Sequence, residues 1–323
     1  MRISNITVAA GAVALALSAC ASPTSQPAPD PVQETSSAQV QESVSASWPV
    51  TIETAQLPLV DYAAAPVDST QSVLALAVGS GEIVDLLGAG DQLVGKDETS
   101  STTQDVPTVT RAHQIDIEQA LSLQPNVVLV DDLTGPPEAI EALSSAGARI
   151  VDVPSVWSLA DIATRVNTIA QAIGAPTDSA QELSDALTQT GDSANTAPPR
   201  VAFLYLRGPS SIYLLGGANT GADALIEAAG GVDVGAELGY DGFVPLTAEA
   251  IVEADPDVLL VMSDGLDSVG GIDGLLELPG VAQTRAGDSK QVVVVDDQVL
   301  LSFGARTPAL IDRLKEVFAE AAA

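Results

Sequence analysis

Short apolar runs alternate with amphipathic segments from about residue 72 to the end of the chain. The apolar runs predict strands, and because they are continuous they are typical of strands covered on both faces. They span residues 73–78, 127–130, 149–153, 201–205, 258–262 and 292–295. The segments between them have a helical period and span residues 83–87, 116–123, 137–145, 221–229, 247–254 and 308–321. This alternation predicts an α/β fold with mainly parallel sheets.

A stretch without strand signal interrupts the alternation between residues 157 and 192. Residues 159–173 have a helical period, and the sequence Gly-Ala-Pro at 174–176 ends that helix and starts another, since proline is tolerated in a first turn. We therefore predict an N-terminal α/β lobe over 71–156, a helical connector over 157–193 and a C-terminal α/β lobe over 194–323.

Each lobe contains the same sequence of helix, proline turn and strand. Glu118 and Glu249 lie near the starts of the two helices. Pro125 follows Glu118 by seven residues, and Pro256 follows Glu249 by seven residues. One explanation for the two glutamates is local, because an acid in the first turn stabilises a helix through its dipole. The other is that the two segments match because the lobes are related, so that the glutamates occupy equivalent positions.

The first twenty residues predict an export signal. Arg2 precedes an apolar stretch over 7–19, which is shorter than the ~20 residues that span a bilayer, and small residues precede Cys20. The ending Leu-Ser-Ala-Cys resembles a bacterial lipobox, which implies a lipoprotein signal peptide over 1–19 and a lipid on Cys20. The alternative is an ordinary signal peptide with a coincidental cysteine. The segment that follows is rich in Ser, Pro, Gln and Thr, so we predict a lipid-anchored flexible tether over 20–70.

Composition narrows the classes of partner. The chain of 323 residues has 43 Asp and Glu against 12 Lys and Arg, and a formal net charge of −31. Nucleic acid is therefore excluded as a partner, because phosphate binding needs clustered cations. One Cys and one His leave no metal cage of these ligands. The hydrophobic fraction of 46% is sufficient for a substantial core.

Four stretches resemble the substrate-binding proteins of ABC transporters whose two lobes are joined by a single spine helix. They lie at residues 93–97, 118–130, 169–187 and 247–261. The resemblance covers nearly all of residues 70–320. It implies two Rossmann-like lobes with mainly parallel sheets, joined by a long spine helix. It also implies a monomeric receptor without enzymatic activity, in which Glu118 and Glu249 dock onto arginines of the permease.

Within this family the chain is most similar to haem-binding lipoproteins of Gram-positive uptake systems, through residues 113–140, 201–231 and 261–284. The resemblance implies that a His of the first lobe and a Tyr of the second bind the haem iron from opposite faces. Some of these proteins keep an Arg two residues after that Tyr. His113 matches the His, and Tyr205 with Arg207 has this Tyr-x-Arg spacing. Tyr213, which lacks such an Arg, is the alternative ligand.

This ligand set agrees with the chemistry of ferric haem, which accepts an imidazole and a phenolate as axial ligands. Arg207 is the candidate cation that favours deprotonation of the phenol. Arg111 is a candidate for pairing with a haem propionate, since guanidinium and carboxylate pair in bidentate fashion. Tyr240 is a third candidate ligand or a hydrogen-bond donor to haem, and Met262 is a candidate wall residue or weak ligand.

We therefore expect a receptor at the extracellular face of the cytoplasmic membrane that captures haem b as its transported ligand and delivers it to an ABC importer. One alternative is a receptor of the same fold for a ferric siderophore or a corrinoid. The small number of Arg and Trp residues counts against a siderophore. A secreted hydrolase is the remaining alternative, and the absence of a Gly-x-Ser-x-Gly sequence counts against a serine hydrolase.

Overall fold

The structure is a computed structural model that describes residues 47–111, 113–191 and 197–321. The described residues belong to one compact unit, Ser45–Ala323. The predicted signal peptide, Cys20 and the first part of the predicted tether lie outside the described residues. Within the described ranges, no helix is long and apolar enough to cross a membrane.

Strands and helices alternate along the described residues. The strands there are β1 (Val50–Ile52), β2 (Val73–Ala75), β3 (Leu93–Lys96), β4 (Thr110–Arg111), β5 (Gln114–Ile115), β6 (Val127–Val130), β7 (Arg149–Asp152), β8 (Arg200–Arg207), β9 (Ile212–Gly216), β10 (Val232–Asp233), β11 (Phe243–Pro245), β12 (Val258–Met262) and β13 (Val292–Val295). The α-helices there are α1 (Ser80–Val84), α2 (Ile117–Ser122), α3 (Pro137–Ser145), α4 (Ile162–Ile173), α5 (Thr177–Thr188), α6 (Ala222–Ala228), α7 (Val234–Glu237), α8 (Ala248–Ala254), α9 (Ser263–Ser268), α10 (Gly271–Glu277), α11 (Arg285–Ser289) and α12 (Thr307–Ala321).

Each lobe is built on its own sheet. The N-terminal sheet has the order β3-β2-β6-β7, and all its strands are parallel. The C-terminal sheet has the order β1-β13-β12-β8-β9-β11, with β10 also pairing with β8. Strand β9 runs antiparallel to β8 and β11, and the other described pairs of this sheet are parallel. Strands β4 and β5 form a separate antiparallel hairpin. The prediction of two α/β lobes with mainly parallel sheets is confirmed.

The connector has the break at residues 174–176 that the sequence predicts. It consists of two helices of 12 residues each, α4 and α5. Gly174 ends α4 in a left-handed conformation with φ 77°, and Pro176 precedes α5. Proline restricts the residue before it to extended conformations, so the helix cannot continue through this point.

Residues 50–62 fall within the predicted tether, and the structure attaches them to the folded body. Strand β1 pairs in parallel with β13 and buries Val50 and Ile52. Farther along, the Tyr62 hydroxyl donates to the carbonyl of Ser179 in α5 at 2.9 Å. These contacts attach residues 50–62 to the folded body, because their apolar side chains pack against the edge of the C-terminal sheet and against α5.

Candidate functional site

Residues of both lobes and of the connector line one cleft of about 380 Å³. Much of the lining follows the carboxyl ends of parallel strands, where α/β proteins bind ligands. The apolar lining consists of Val78, Leu133, Val156, Trp157, Leu214, Phe243, Met262 and Leu301. The polar lining consists of His113, Asp131, Ser155, Arg165, Tyr205, Arg207 and Asp297.

Strand register decides which tyrosine faces the cleft. The pairing of β8 with β9 places Tyr205 opposite Leu214 and Leu206 opposite Tyr213. Because side chains alternate between the faces of a strand, each of these pairs occupies one face of the sheet. Tyr205 and Leu214 line the cleft, whereas Tyr213 packs against the hydrophobic cluster beneath the other face.

Tyr205 and Arg207 form a unit within the cleft. The Nε of Arg207 donates to the hydroxyl oxygen of Tyr205 at 2.9 Å, and its guanidinium carbon lies 5.2 Å from the centre of the tyrosine ring. The ring of Phe243 contacts the same tyrosine with 5.5 Å between ring centres. The hydrogen bond with Tyr205 raises the pKa of Arg207, and partial burial opposes this effect. Arg207 is therefore a permanent positive charge at the phenol oxygen.

His113 reaches the cleft from the turn between β4 and β5. Its backbone has φ 64°, a left-handed conformation that histidine adopts more readily than most residues. Its N–H donates to a carboxylate oxygen of Glu98 at 3.0 Å, and its carbonyl accepts from the N–H of Gly135 at 3.0 Å. The backbone of this turn is thus fixed from two sides, while the side chain borders the cleft.

The other candidate residues divide into two groups. Met262 lines the cleft at the end of β12 and is 7% exposed. Arg111 is exposed on β4 and is not part of the cleft lining. Tyr240 packs against the cluster on the far side of the C-terminal sheet, as Tyr213 does. The structure thus brings together His113, Tyr205, Arg207 and Met262, and it leaves Arg111, Tyr213 and Tyr240 outside the cleft.

Sequence reasoning missed several polar or aromatic lining residues, among them Trp157 and Arg165. Trp157 lines the cleft with 43% of its surface exposed. Arg165 lines it from the first turn of α4 and is only 3% exposed. The signal for Arg165 was present, since it occupies the apolar stripe of the helix together with Ile162 and Ile169.

The two paired glutamates occupy equivalent, exposed positions. Glu118 is the second residue of α2, and Glu249 is the second residue of α8. Both helices have a side-chain cap, because Asp116 accepts the N–H of Gln119 and Thr247 accepts the N–H of Ala250, each at 3.1 Å. The first-turn acids are therefore not needed to cap the helices.

The exposed surface beside each glutamate is also alike. Leu121 follows Glu118 by three residues and is 38% exposed, and Val252 follows Glu249 by three residues and is 40% exposed. Residues three apart are neighbours on one helix face. Each lobe thus presents a carboxylate next to an exposed apolar side chain.

Comparison with known proteins gives a consistent family. A family model described as periplasmic binding protein matches residues 73–299. The structure is similar to the periplasmic heme-binding protein RhuT from Roseiflexus sp. RS-1, with 34% identity and a TM-score of 0.70, over 79% of this chain and 100% of that one. It is also similar to the heme binding protein HmuT, with 30% identity and a TM-score of 0.68, over 83% of this chain and 97% of that one. Structures of HmuT with a histidine, a tyrosine or an arginine substituted match as well.

One curated relative is named for a ligand other than heme. The cobalamin-binding protein of Halobacterium salinarum is 28% identical over 196 residues, which cover 56% of this chain and 52% of that protein. The chain thus spans about half the length of the curated relatives it matches.

Proposed function

Because the chain belongs to the periplasmic binding protein family, we propose that it is an extracytoplasmic haem receptor that captures hemin between its lobes and delivers it to an ABC importer. The observation that carries this proposal is the arrangement of His113 and the Tyr205–Arg207 unit around one cleft. An imidazole comes from the N-terminal lobe and a phenol from the C-terminal lobe, so two axial ligands for ferric iron approach from different sides.

The lining supports a flat, largely apolar ligand that carries a metal ion. Phe243, Leu214 and Met262 offer apolar surface for a porphyrin ring. The cation of Arg207 stabilises a phenolate by its hydrogen bond and its charge, so that Tyr205 can bind iron at neutral pH. The names of the structural relatives, which are heme-binding proteins, support the same ligand. We take haem b as the transported form.

The location and partners follow from the same proposal. Membership of the family implies an extracytoplasmic location. We propose in addition that residues 1–19 are a signal peptide and that Cys20 carries the lipid that holds the receptor at the cytoplasmic membrane. Glu118 and Glu249 are the proposed contacts to arginines of the permease, and the receptor acts as a monomer.

A hemin titration of the purified chain tests the haem assignment. We expect a saturable one-to-one change in the Soret band. Tyr205→Phe removes the phenolate, and His113→Asn removes the imidazole while keeping a residue that tolerates φ 64°. Each variant should give a weaker complex with an altered visible spectrum. Tyr213→Phe is the matched control, because it deletes the same hydroxyl on the opposite face of the sheet.

The hemin titration of the wild-type protein decides between a haem receptor and a receptor for another ligand. Absence of a saturable hemin spectrum contradicts the haem assignment and leaves the family unchanged. A corrinoid is the second candidate ligand, because a cobalamin-binding protein is among the relatives. Titration with cyanocobalamin, followed by its own visible bands, tests this candidate on the same preparation. The relatives are binding proteins by name, and we propose no catalytic activity.

A further inference from the structure

Arg165 is a buried cation on a helix face that is otherwise apolar. Its neighbours on that face of α4, Ile162 and Val166, are fully buried. The Nη2 of Arg165 donates to the carbonyl of Val78, which lies after β2. Val78, Asp131 and Arg165 all line the cleft, and we call the part that they border its floor.

Among the described residues, Arg165 has no ion-pair partner. Its Nε is buried and makes no hydrogen bond with any described residue. Burial lowers the pKa of Arg165, and the charges of Asp131 and Asp97 oppose this effect. Neither carboxylate forms an ion pair with Arg165 in the structure, and both accept other hydrogen bonds: Asp131 accepts the N–H of Val78 at 2.8 Å, and Asp97 accepts the N–H of Thr99 at 2.9 Å.

Burial of a charge that has no carboxylate within ion-pair distance is costly, and a bound anion offsets that cost. We propose that Arg165 binds a carboxylate of the transported ligand at the floor of the cleft. The inference rests on the proposed function, in which that carboxylate is a propionate of haem. Guanidinium is suited to this task because it pairs with a carboxylate through two parallel hydrogen bonds.

Of the other arginines among the described residues, only Arg207 lines the cleft, and it already has a role there. Arg207 is engaged by the Tyr205 hydroxyl and by the face of its ring. Arg111, which the sequence suggested for a propionate, lies outside the cleft. The remaining charged lining residues, Asp131 and Asp297, repel a carboxylate, so Arg165 determines where the acidic edge of the ligand lies.

This assignment also bears on the choice of ligand. Haem presents two free carboxylates at neutral pH, whereas the ring of cobalamin carries amides in place of free carboxylates. A buried cation on the cleft floor discriminates between these chemistries, because the site loses its anion when the wrong ligand binds.

The test compares hemin with hemin dimethyl ester, in which both propionates are esterified. The full chain is titrated with each, and the ratio of the two dissociation constants is measured from the Soret band. Wild type should prefer hemin by roughly tenfold or more, as expected for a hydrogen-bonded charge pair. Arg165→Gln should bring the ratio close to one without moving the Soret maximum of either complex, since the axial ligands remain. Arg165→Lys should retain part of the preference.

Arg111→Gln is the control, because it removes an arginine from an exposed strand outside the cleft and should keep the wild-type ratio. Circular dichroism verifies the fold of each variant, and if Arg165→Gln does not fold, the Lys variant decides. A folded variant at residue 165 with the wild-type preference for hemin overturns the inference and leaves the haem receptor standing. Failure of wild type to bind either compound overturns the proposed function, and the inference with it.

Discussion

At the scale of single residues, Asp233 shows how burial of one carboxyl group links stability to pH. It is the N-cap of α7, where it accepts the N–H of Ala236 at 2.7 Å, and it is 3% exposed. Burial raises the pKa of Asp233 to about 6; the Ala236 hydrogen bond opposes this, and the nearby Asp223 adds to it. An unfolded chain has an ordinary aspartate there, with a pKa near 3.9.

The folded protein therefore binds a proton at Asp233 more readily than the unfolded chain does. This group stabilises the fold at low pH, and its contribution is lost as the pH rises through 6. We predict that the free energy of unfolding of wild type falls by about 2 kcal/mol more than that of Asp233→Asn between pH 4.5 and 7.5. Asn preserves the cap. Urea unfolding of both proteins across this range measures the difference, and parallel pH profiles would contradict the prediction.

At the scale of elements, α2 and α8 present the proposed contacts to the permease. Both Glu118 and Glu249 are second residues of helices that their cap residues already stabilise. We predict that Glu118→Lys and Glu249→Lys leave the hemin titration unchanged and abolish stimulation of the importer's ATPase in proteoliposomes. Opposite charges orient an encounter, and a reversed charge repels the partner's arginines.

Glu138 supplies the matched control for this experiment. It is the exposed second residue of α3, so Glu138→Lys has the same unfavourable effect on a helix dipole, about 0.3–1 kcal/mol, without a proposed role in docking. Loss of stimulation in this variant as well would show that charge reversal at any helix start suffices, and would remove the support for docking through the two glutamates.

The same scale shows how far sequence patterns reach. Strands β6, β12 and β13 have their predicted bounds because they are uninterrupted apolar runs buried on both faces. Residues 265–271 include Gly265, Gly270 and Gly271, a composition typical of a loop. Most of these seven residues nevertheless lie in α9 and α10, whose close packing leaves no space for a Cβ at Gly274. For the site, the Tyr-x-Arg spacing favoured Tyr205 over Tyr213. In the structure, Tyr205 faces the cleft because of the register in which β8 pairs with β9. That register is a tertiary property that the local pattern does not contain.

At the scale of the whole molecule, the two lobes share their interior. One hydrophobic cluster includes Val73 and Leu129 of the N-terminal sheet, Ile169 of the connector, and Phe203 and Leu260 of the C-terminal sheet. A continuous core resists separation of the lobes, since opening them exposes apolar surface to water. We therefore expect haem to enter and leave through small movements of the cleft lining.

A buried ion pair reinforces this connection. Glu82 of α1 pairs with Arg306, which precedes α12, at 2.8 Å, and their side chains are 7% and 16% exposed. The same carboxylate accepts the N–H groups of Ser101 and Ala305 at 3.0 and 3.1 Å. Burial raises the pKa of Glu82, and these hydrogen bonds and the charge of Arg306 oppose the rise. The N-terminal lobe is thus tied to the C-terminal segment by one fully engaged carboxylate.

We predict that Glu82→Gln lowers the free energy of unfolding by about 3–5 kcal/mol, because it leaves Arg306 buried without its partner. The double variant Glu82→Leu/Arg306→Leu should recover a large part of this loss, since it removes both charges together. Urea unfolding measures each value. The surface pair of Arg313 and Glu316 provides the control, and Glu316→Gln should change stability by less than about 1 kcal/mol. An equally small effect of Glu82→Gln would mean that the shared hydrophobic core alone holds the lobes together.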